Sequence, residues 1–269
     1  MPQSLPNGGP PLEQYPELQG THRVTCDLCA VWRRALCGSL PIEELGRLSS
    51  IGRQRTVAKG QVIYRGQEAP GSFAAIIAGV VKLSKIMPDG RQQIVGLLFP
   101  SDFLGRPFGT HSPYFATAAS NVQLCCFGKS QFENLMRECP SLVCRLFERT
   151  LDELDAAHEW MLLLGRKTAE EKLASFLLLL ARRSVPVSLA PTTGERPAQF
   201  ELPLTRTDIA DFLGLTLETV SRQMAHLKAR GIIRSVTFRS IVIPDLRRLE
   251  ELTMSAGERV SEAEPDSRA

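Results

Sequence analysis

The segment Leu204–Ser240 reads LTRTDIADFLGLTLETVSRQMAHLKARGIIRSVTFRS, and its punctuation predicts a helix, a tight turn, a second helix and a hairpin. Thr207 is placed to cap a first helix from Asp208 to Leu213, with Asp208 in the first turn where negative charge is favoured. Gly214 supplies the positive φ that stops it. Thr216 caps the second helix, in which Leu217, Val220, Met224, Leu227 and Ala225 fall at three-to-four spacing and are expected to face inward. The other face carries Glu218, Thr219, Ser221, Arg222 and Gln223, donors and acceptors long enough to reach base edges in a major groove. Thr205 and Thr216, ahead of the two helices, complete the expected DNA-facing set. Gly231 ends the second helix. Ile232-Ile233 and Ser240–Ile243 are then expected as two strands around Thr237, a wing. Between Arg222 and Arg239 lie five basic residues (Arg222, Lys228, Arg230, Arg234, Arg239) and no acidic one. A solvated helix face usually mixes signs, so this bias suits phosphate contacts.

These residues resemble the winged helix-turn-helix of the CRP/FNR family of bacterial regulators. Glu218-Thr219-Val220-Ser221-Arg222 is similar to the recognition helix of the FNR and FixK branches. The resemblance implies that Glu218, Ser221 and Arg222 read base edges of a palindrome such as TTGAT-N4-ATCAA. Contact chemistry favours the same pairing of Arg222 with guanine, and of Glu218 with an amino group of cytosine or adenine.

Upstream, Pro140 suits the first turn of a long helix reaching about Gly165. Phe147, Leu151, Leu154, His158 and Met161 follow a 4-3-4-3 spacing, the period of a coiled-coil seam. Leu146, Leu162, Leu163 and Leu164 form a second apolar surface. Two apolar faces suit a helix packed both on its own domain and on a second copy. Asp152, Glu153, Asp155 and Glu159 lie along or beside the seam, and their repulsion would keep such a homodimer weak and easily shifted. In the family this helix is the dimer interface. Thr168-Ala169-Glu170-Glu171 then caps another helix, Lys172 to Arg183.

Near the start, Cys26, Cys29 and Cys37 form C-x2-C-x7-C within twelve residues. Soft ligands this close in sequence let a short loop wrap an inorganic core, with a distant fourth ligand to complete it. Spacing alone leaves an iron–sulfur cluster, a zinc site and plain buried thiols equally open. Here the resemblance speaks: FNR-type regulators carry such a trio plus one cysteine in the sensory domain. It implies a [4Fe–4S] cluster on Cys26, Cys29, Cys37 and Cys125. In the strand Val122–Phe127 neighbouring side chains point to opposite faces, so only one of Cys125 and Cys126 serves. Alignment on Phe132 selects Cys125. Cys139 and Cys144 are expected as buried packing cysteines. A FixK-like regulator with thiol redox sensing in place of a cluster is the second reading.

From about Leu40 to Cys139 short strands alternate with turns, notably at Lys59-Gly60, Gly79 and Met87-Pro88-Asp89-Gly90-Arg91. That rhythm predicts a jelly-roll sensory domain, like the family's cyclic-nucleotide-binding β-roll. The relative that binds cyclic nucleotide has a ribose carboxylate and an arginine for the phosphate. The matching stretch here, Asp102–Ala119, lacks the carboxylate and offers only Phe115-Ala116-Thr117 in place of the arginine. No cyclic nucleotide is therefore expected. His111, in a turn-like segment, reads as surface rather than as a haem ligand.

The whole is an α+β chain. Residues 1–22 form a disordered start, 23–39 the cysteine segment, 40–139 the roll, 140–166 the dimerisation helix, 167–252 the winged helix-turn-helix and 253–269 a disordered tail. An apolar share of 43% supports real cores. The absence of an 18-residue apolar run argues against a membrane span, and the first 20 residues lack a secretion signal. A cytosolic place follows, where seven cysteines favour metal or redox chemistry over disulfides. No nucleophile–base pair or phosphate-cradling glycine loop points to an enzyme. Double-stranded DNA, RNA polymerase and a second copy of the chain are the expected partners.

Overall fold

The computed structural model describes residues 22–23, 29, 31, 33–66, 71–184, 197–237 and 239–253. Residues 1–21 and 254–269 of the expected disordered start and tail lie outside them, as does Cys26, whereas His22 opens a short strand and Thr253 closes a turn. So does the whole of the Pro- and Thr-rich stretch 185–196 lie outside. The chain divides into two compact units inside one helix: residues 1–90 with 95–152, and 91–94 with 153–269.

The first unit is a roll of two antiparallel sheets. Its strands are β1 (His22–Arg23), β2 (Gly52–Val57), β3 (Val62–Tyr64), β4 (Ser72–Ala78), β5 (Val81–Ile86), β6 (Gln92–Leu98), β7 (Phe103–Leu104), β8 (Phe115–Ala118) and β9 (Val122–Gly128). One sheet runs β1-β2-β9-β4-β7, the other β3-β8-β5-β6. The expected turns are present. Gly90 N–H donates to the Met87 carbonyl at 2.9 Å. Gly79 has φ +86°, and a Cβ there would stand 2.2 Å from the Asn121 carbonyl oxygen.

Ser72–Ala78 is an almost continuous apolar run because β4 is covered on both faces. Ala74 and Ile76 enter the roll interior with Val122, Leu124 and Cys126. Phe73 and Ala75 enter a second core with Leu36, Leu48, Phe127, Phe132 and Leu142. This second core lies under three helices, α1 (Ile42–Ile51), α2 (Lys129–Glu138) and α3 (Pro140–Arg166). Phe132 of α2 is fully buried at its centre, with its ring 5.4–5.5 Å from those of Phe73, Phe103 and Phe127.

Helix α1 corrects the expectation of strands from Leu40 onward. Only Leu48 of α1 is buried, with Leu45 and Ile51 half-buried on the same face, a three-residue apolar spacing that the strand expectation passed over. Glu43 and Glu44 in its first turn are a further local helix signal.

The second unit joins the last turns of α3 to α4 (Ala169–Ser184), β10 (Ala198–Glu201), α5 (Arg206–Leu213), α6 (Leu217–Ala229), β11 (Arg234–Ser235), β12 (Ser240–Ile243) and α7 (Leu246–Glu251). A capping box opens α4, with Thr168 N–H donating to Glu171 at 2.7 Å. Leu173, Phe176, Leu177 and Leu180 of α4 are fully buried. Strand β12 lies between β10 and β11. Ile232 and Ile233, expected as a strand, are instead buried residues ahead of β11. None of the described helices is long and apolar enough to cross a membrane.

Phe132→Ala should lower unfolding free energy by about 3–5 kcal/mol, because three rings lose their common partner. Ile42→Ala, at a side chain 88% exposed, should leave the urea midpoint unchanged.

Candidate thiol pocket and nucleic-acid interface

The cysteine segment is folded by its own backbone. Arg34 and Ala35 N–H groups both donate to the Val31 carbonyl, at 3.0 and 2.9 Å. A single 3-10 turn, Leu36–Ser39, follows. Ala35 and Leu36 are buried, which pins the segment to the second core. The result is a cavity lined by Cys29, Cys37 and Cys125 together with Val31, Leu36, Leu48, Ala75, Ile77 and Phe127.

Strand alternation separates the two adjacent cysteines. On β9, Cys125 pairs with Gln54 on one side and Ala75 on the other, and packs against the second core. Cys126 is 1% exposed and points into the roll interior. Cys139 is buried as expected, whereas Cys144 is exposed on α3. Burial pushes the Cys139 thiol up, opposed in part by the Arg47 guanidinium 3.6 Å away.

Among the described residues no disulfide forms, and no three His, Cys, Asp or Glu converge on one position for a single metal ion. Three sulfurs around an apolar hollow fit the donor set of an iron–sulfur cluster, which takes thiolates at separate corners. Apolar walls would keep water and oxidants from such a group.

The segment also touches α3. A guanidinium N–H of Arg149 donates to the Arg34 carbonyl. Leu142 and Leu146 of α3 pack in the same core as Leu36 and Cys37. The other side of α3 is bare: Phe147 and Met161 are each 62% exposed, and Leu151, Leu154 and His158 are exposed between them. Leu163 is buried, but Leu162, expected on the covered face, is exposed. Helical pitch turns it about 100° away from its neighbour.

In the second unit, Thr205 rather than Thr207 caps α5. Thr205 N–H donates to Asp208 at 3.0 Å and Asp208 N–H donates to the Thr205 hydroxyl at 3.1 Å. The Thr205 hydroxyl is therefore engaged by its own helix. Gly214, at φ +62°, ends α5. Thr216 caps α6 as expected, accepting from Thr219 N–H at 3.2 Å and donating to the Thr219 hydroxyl at 3.0 Å. Val220, Met224 and Leu227 are buried, but Leu217 and Ala225 are exposed. Only one row of α6 meets α4 and α5, so residues flanking it remain outside.

Glu218, Ser221 and Arg222 share the exposed face, with Thr219 half-buried beside them. The Glu218 carboxyl lies below its ordinary range, held by its own backbone N–H and by the Thr216 hydroxyl. It stays an acceptor. Farther along α6, His226 lies 3.5 Å from Glu170 of α4, and Arg230 pairs with the same carboxylate. Arg230, counted in the sequence as a phosphate contact, thus also serves to brace α6. The Gln223 side-chain oxygen is buried without a hydrogen-bond partner, so this residue stands between core and surface. β11 and β12 form the wing, whose turn is tied by Ser240 N–H donating to the Thr237 hydroxyl at 3.0 Å.

Comparison with known proteins agrees with this layout. A Crp-like helix-turn-helix domain matches residues 171–252 and a cyclic nucleotide-binding domain matches residues 54–139. The transcriptional activator protein FnrL of Cereibacter sphaeroides is 46% identical over 226 residues, 84% of this chain and 90% of FnrL. The nitrogen fixation regulation protein FixK of Bradyrhizobium diazoefficiens is 37% identical over 227 residues, covering 84% and 93% respectively. The solved structure of FixK2 from Bradyrhizobium japonicum is similar with TM-score 0.68 and 34% identity, over 77% of this chain and 99% of FixK2. FnrL is named as a transcriptional activator and FixK as a regulation protein. Identity of this degree across nearly their whole length carries both the roll and the reading head, so the chain belongs to the CRP/FNR family of transcriptional regulators.

Proposed function

We propose that the chain is an oxygen-responsive regulator of FNR type, in which Cys26, Cys29, Cys37 and Cys125 hold a [4Fe–4S] cluster and two copies pair through α3 to bind a palindrome like TTGAT-N4-ATCAA. The observation that carries this reading is one geometry. Three of the four sulfurs line a single apolar hollow, and the backbone between two of them is held by Arg149 of the helix whose other face is bare. Similarity to FnrL supports the same reading.

When bound, an iron–sulfur cluster supplies a centre that oxygen attacks. The chain's own residues do the rest. Cys29 and Cys37 tie the segment to Cys125 on β9, and with it the Arg34 carbonyl stays beside Arg149. Leu36 and Ala35 stay buried, covering Leu142 and Leu146. Helix α3 is then supported on its inner side and presents Phe147, Leu151, Leu154, His158 and Met161 to a second copy. Asp152, Glu153, Asp155 and Glu159, all exposed, oppose that pairing, so a modest loss of support separates the copies. Paired copies place two α6 helices on successive half-sites, and linkage of the two contacts raises affinity above that of either alone.

Cyclic nucleotide has no place in this scheme. The stretch Phe115-Ala116-Thr117 offers no guanidinium for a phosphate, Ala116 is buried in the roll interior, and Arg106 stands exposed in a loop. Exposed loops of the roll would contact RNA polymerase. A thiol-redox regulator is the second reading. It draws on the similarity to FixK and FixK2 and on the exposed thiol of Cys144.

Protein purified without oxygen should be brown and carry about four iron and four sulfide per chain, the content of one such cluster. Cys26→Ser, Cys29→Ser, Cys37→Ser and Cys125→Ser should each be colourless, and Cys144→Ser should keep the colour. Colourless, iron-poor wild-type protein that still pairs and binds the palindrome would sink the cluster reading and favour the thiol one.

Two further outcomes test the DNA and dimer assignments. Arg222→Ala should cost about 1–3 kcal/mol at the palindrome and far less on random duplex, measured by fluorescence anisotropy at fixed salt. Leu154→Glu should sediment as a monomer while keeping its iron content.

A further inference from the structure

Trp160 lies on α3 between the seam residues His158 and Met161, yet turned from them toward the reading head. Its ring stacks on that of Phe212 in α5, with centroids 4.1 Å apart and planes 19° from parallel. Phe176 of α4 meets Phe212 edge-on at 5.8 Å and 70°. Phe212 and Phe176 are buried, as is Leu163 one turn beyond Trp160.

Only Lys167 and Thr168 separate α3 from α4. The joint is tied locally, by Lys167 N–H donating to the Leu163 carbonyl and by the Thr168–Glu171 capping box, but neither bond reaches α5 or α6. The Trp160–Phe212 stack bypasses that joint, fastening the end of α3 directly to α5, which packs on α6. Leu154, His158 and Met161 therefore share one compact unit with the helix that reads DNA. The Trp160 indole N–H is buried without a hydrogen-bond partner, which costs stability. The position thus keeps the flat ring despite its polar atom, and stacking area is what it supplies.

We propose that Trp160 is a positioning residue that fixes the angle between the Leu154–Met161 part of the seam and the reading helix of the same unit, and so determines which spacing between half-sites the dimer accepts. This rests on the palindrome-binding reading above. In a two-fold dimer the separation of the two reading helices is set by geometry, and the DNA spacing that fits follows from it. A rigid clasp admits one spacing. A loosened one admits several, each less tightly.

The test uses full-length protein prepared without oxygen, and three duplexes carrying TTGAT and ATCAA separated by three, four or five base pairs. Wild type should prefer one spacing clearly. Trp160→Leu should self-associate like wild type in sedimentation. It should lose about 3- to 10-fold in affinity at the preferred spacing and lose its preference by a similar factor, the scale of one aromatic pair. Trp160→Phe keeps a ring and sheds the unpaired N–H, and should keep the preference. An equal loss on all three duplexes, or an unchanged preference in Trp160→Leu, overturns the proposal. If Trp160→Leu does not fold, Phe212→Leu removes the same stack from the other ring and is judged by the same two outcomes. Failure of the wild type to pair or to favour any spacing would instead count against the dimer reading itself.

Discussion

Successive side chains of an extended strand must point to opposite faces, and the first unit depends on what this does to β4 and β9. Both strands are covered on two sides, so alternate residues build two separate cores. Cys126, Leu124 and Val122 close the roll from within. Cys125 and Phe127 turn toward α1, α2 and α3. The thiol pocket arises at that outer core because the cysteine segment folds back over it through Ala35 and Leu36. A one-residue slip of β9 would exchange Cys125 and Cys126 and dismantle the pocket.

Helix α3 is the second organising element, and its value lies in having several distinct faces. Leu142 and Leu146 belong to the core beneath the cysteine segment, and Arg149 holds that segment's backbone. The opposite stripe, from Phe147 to Met161, is bare and flanked by acids. Trp160 and Leu163 leave by a third direction into the reading head. Each compact unit thus holds part of α3: the first has the residues beside the sulfur-lined hollow, the second those packed on the helix-turn-helix.

The charges fall into two groups. Glu170 gathers His226 and Arg230, bracing α6 against α4, while Arg222 is left on the exposed face of α6. Asp152, Glu153, Asp155 and Glu159 lie exposed along or beside the bare stripe of α3.

The fold class and the reading head were legible in the sequence, because turn glycines, helix caps and apolar periods are local signals. Gly214, Thr216 and the row Val220, Met224, Leu227 each carry their meaning within a few residues. The strand-rich roll and the long helix from Pro140 were equally plain. Helix α1 does carry a local period, Ile42, Leu45, Leu48 and Ile51, but it spans only ten residues ahead of a strand-rich stretch and was absorbed into the strand expectation. Other features depend on partners far along the chain and left no local trace. Thr205 displaces Thr207 as the cap because Asp208 reaches back three residues, not one. Leu162 and Cys144 are exposed because neighbouring elements cover a narrower strip of α3 than its apolar content suggests. The sequence by itself determined the cysteine spacing, the apolar 4-3-4-3 row of the long helix and the polar face of the second helix of the helix-turn-helix. Only the tertiary structure decided that three of those sulfurs share one hollow, that Arg149 grips the loop between them, and that Trp160 meets Phe212. Proximity between residues distant in the chain is created by packing, and packing is settled by every surface at once.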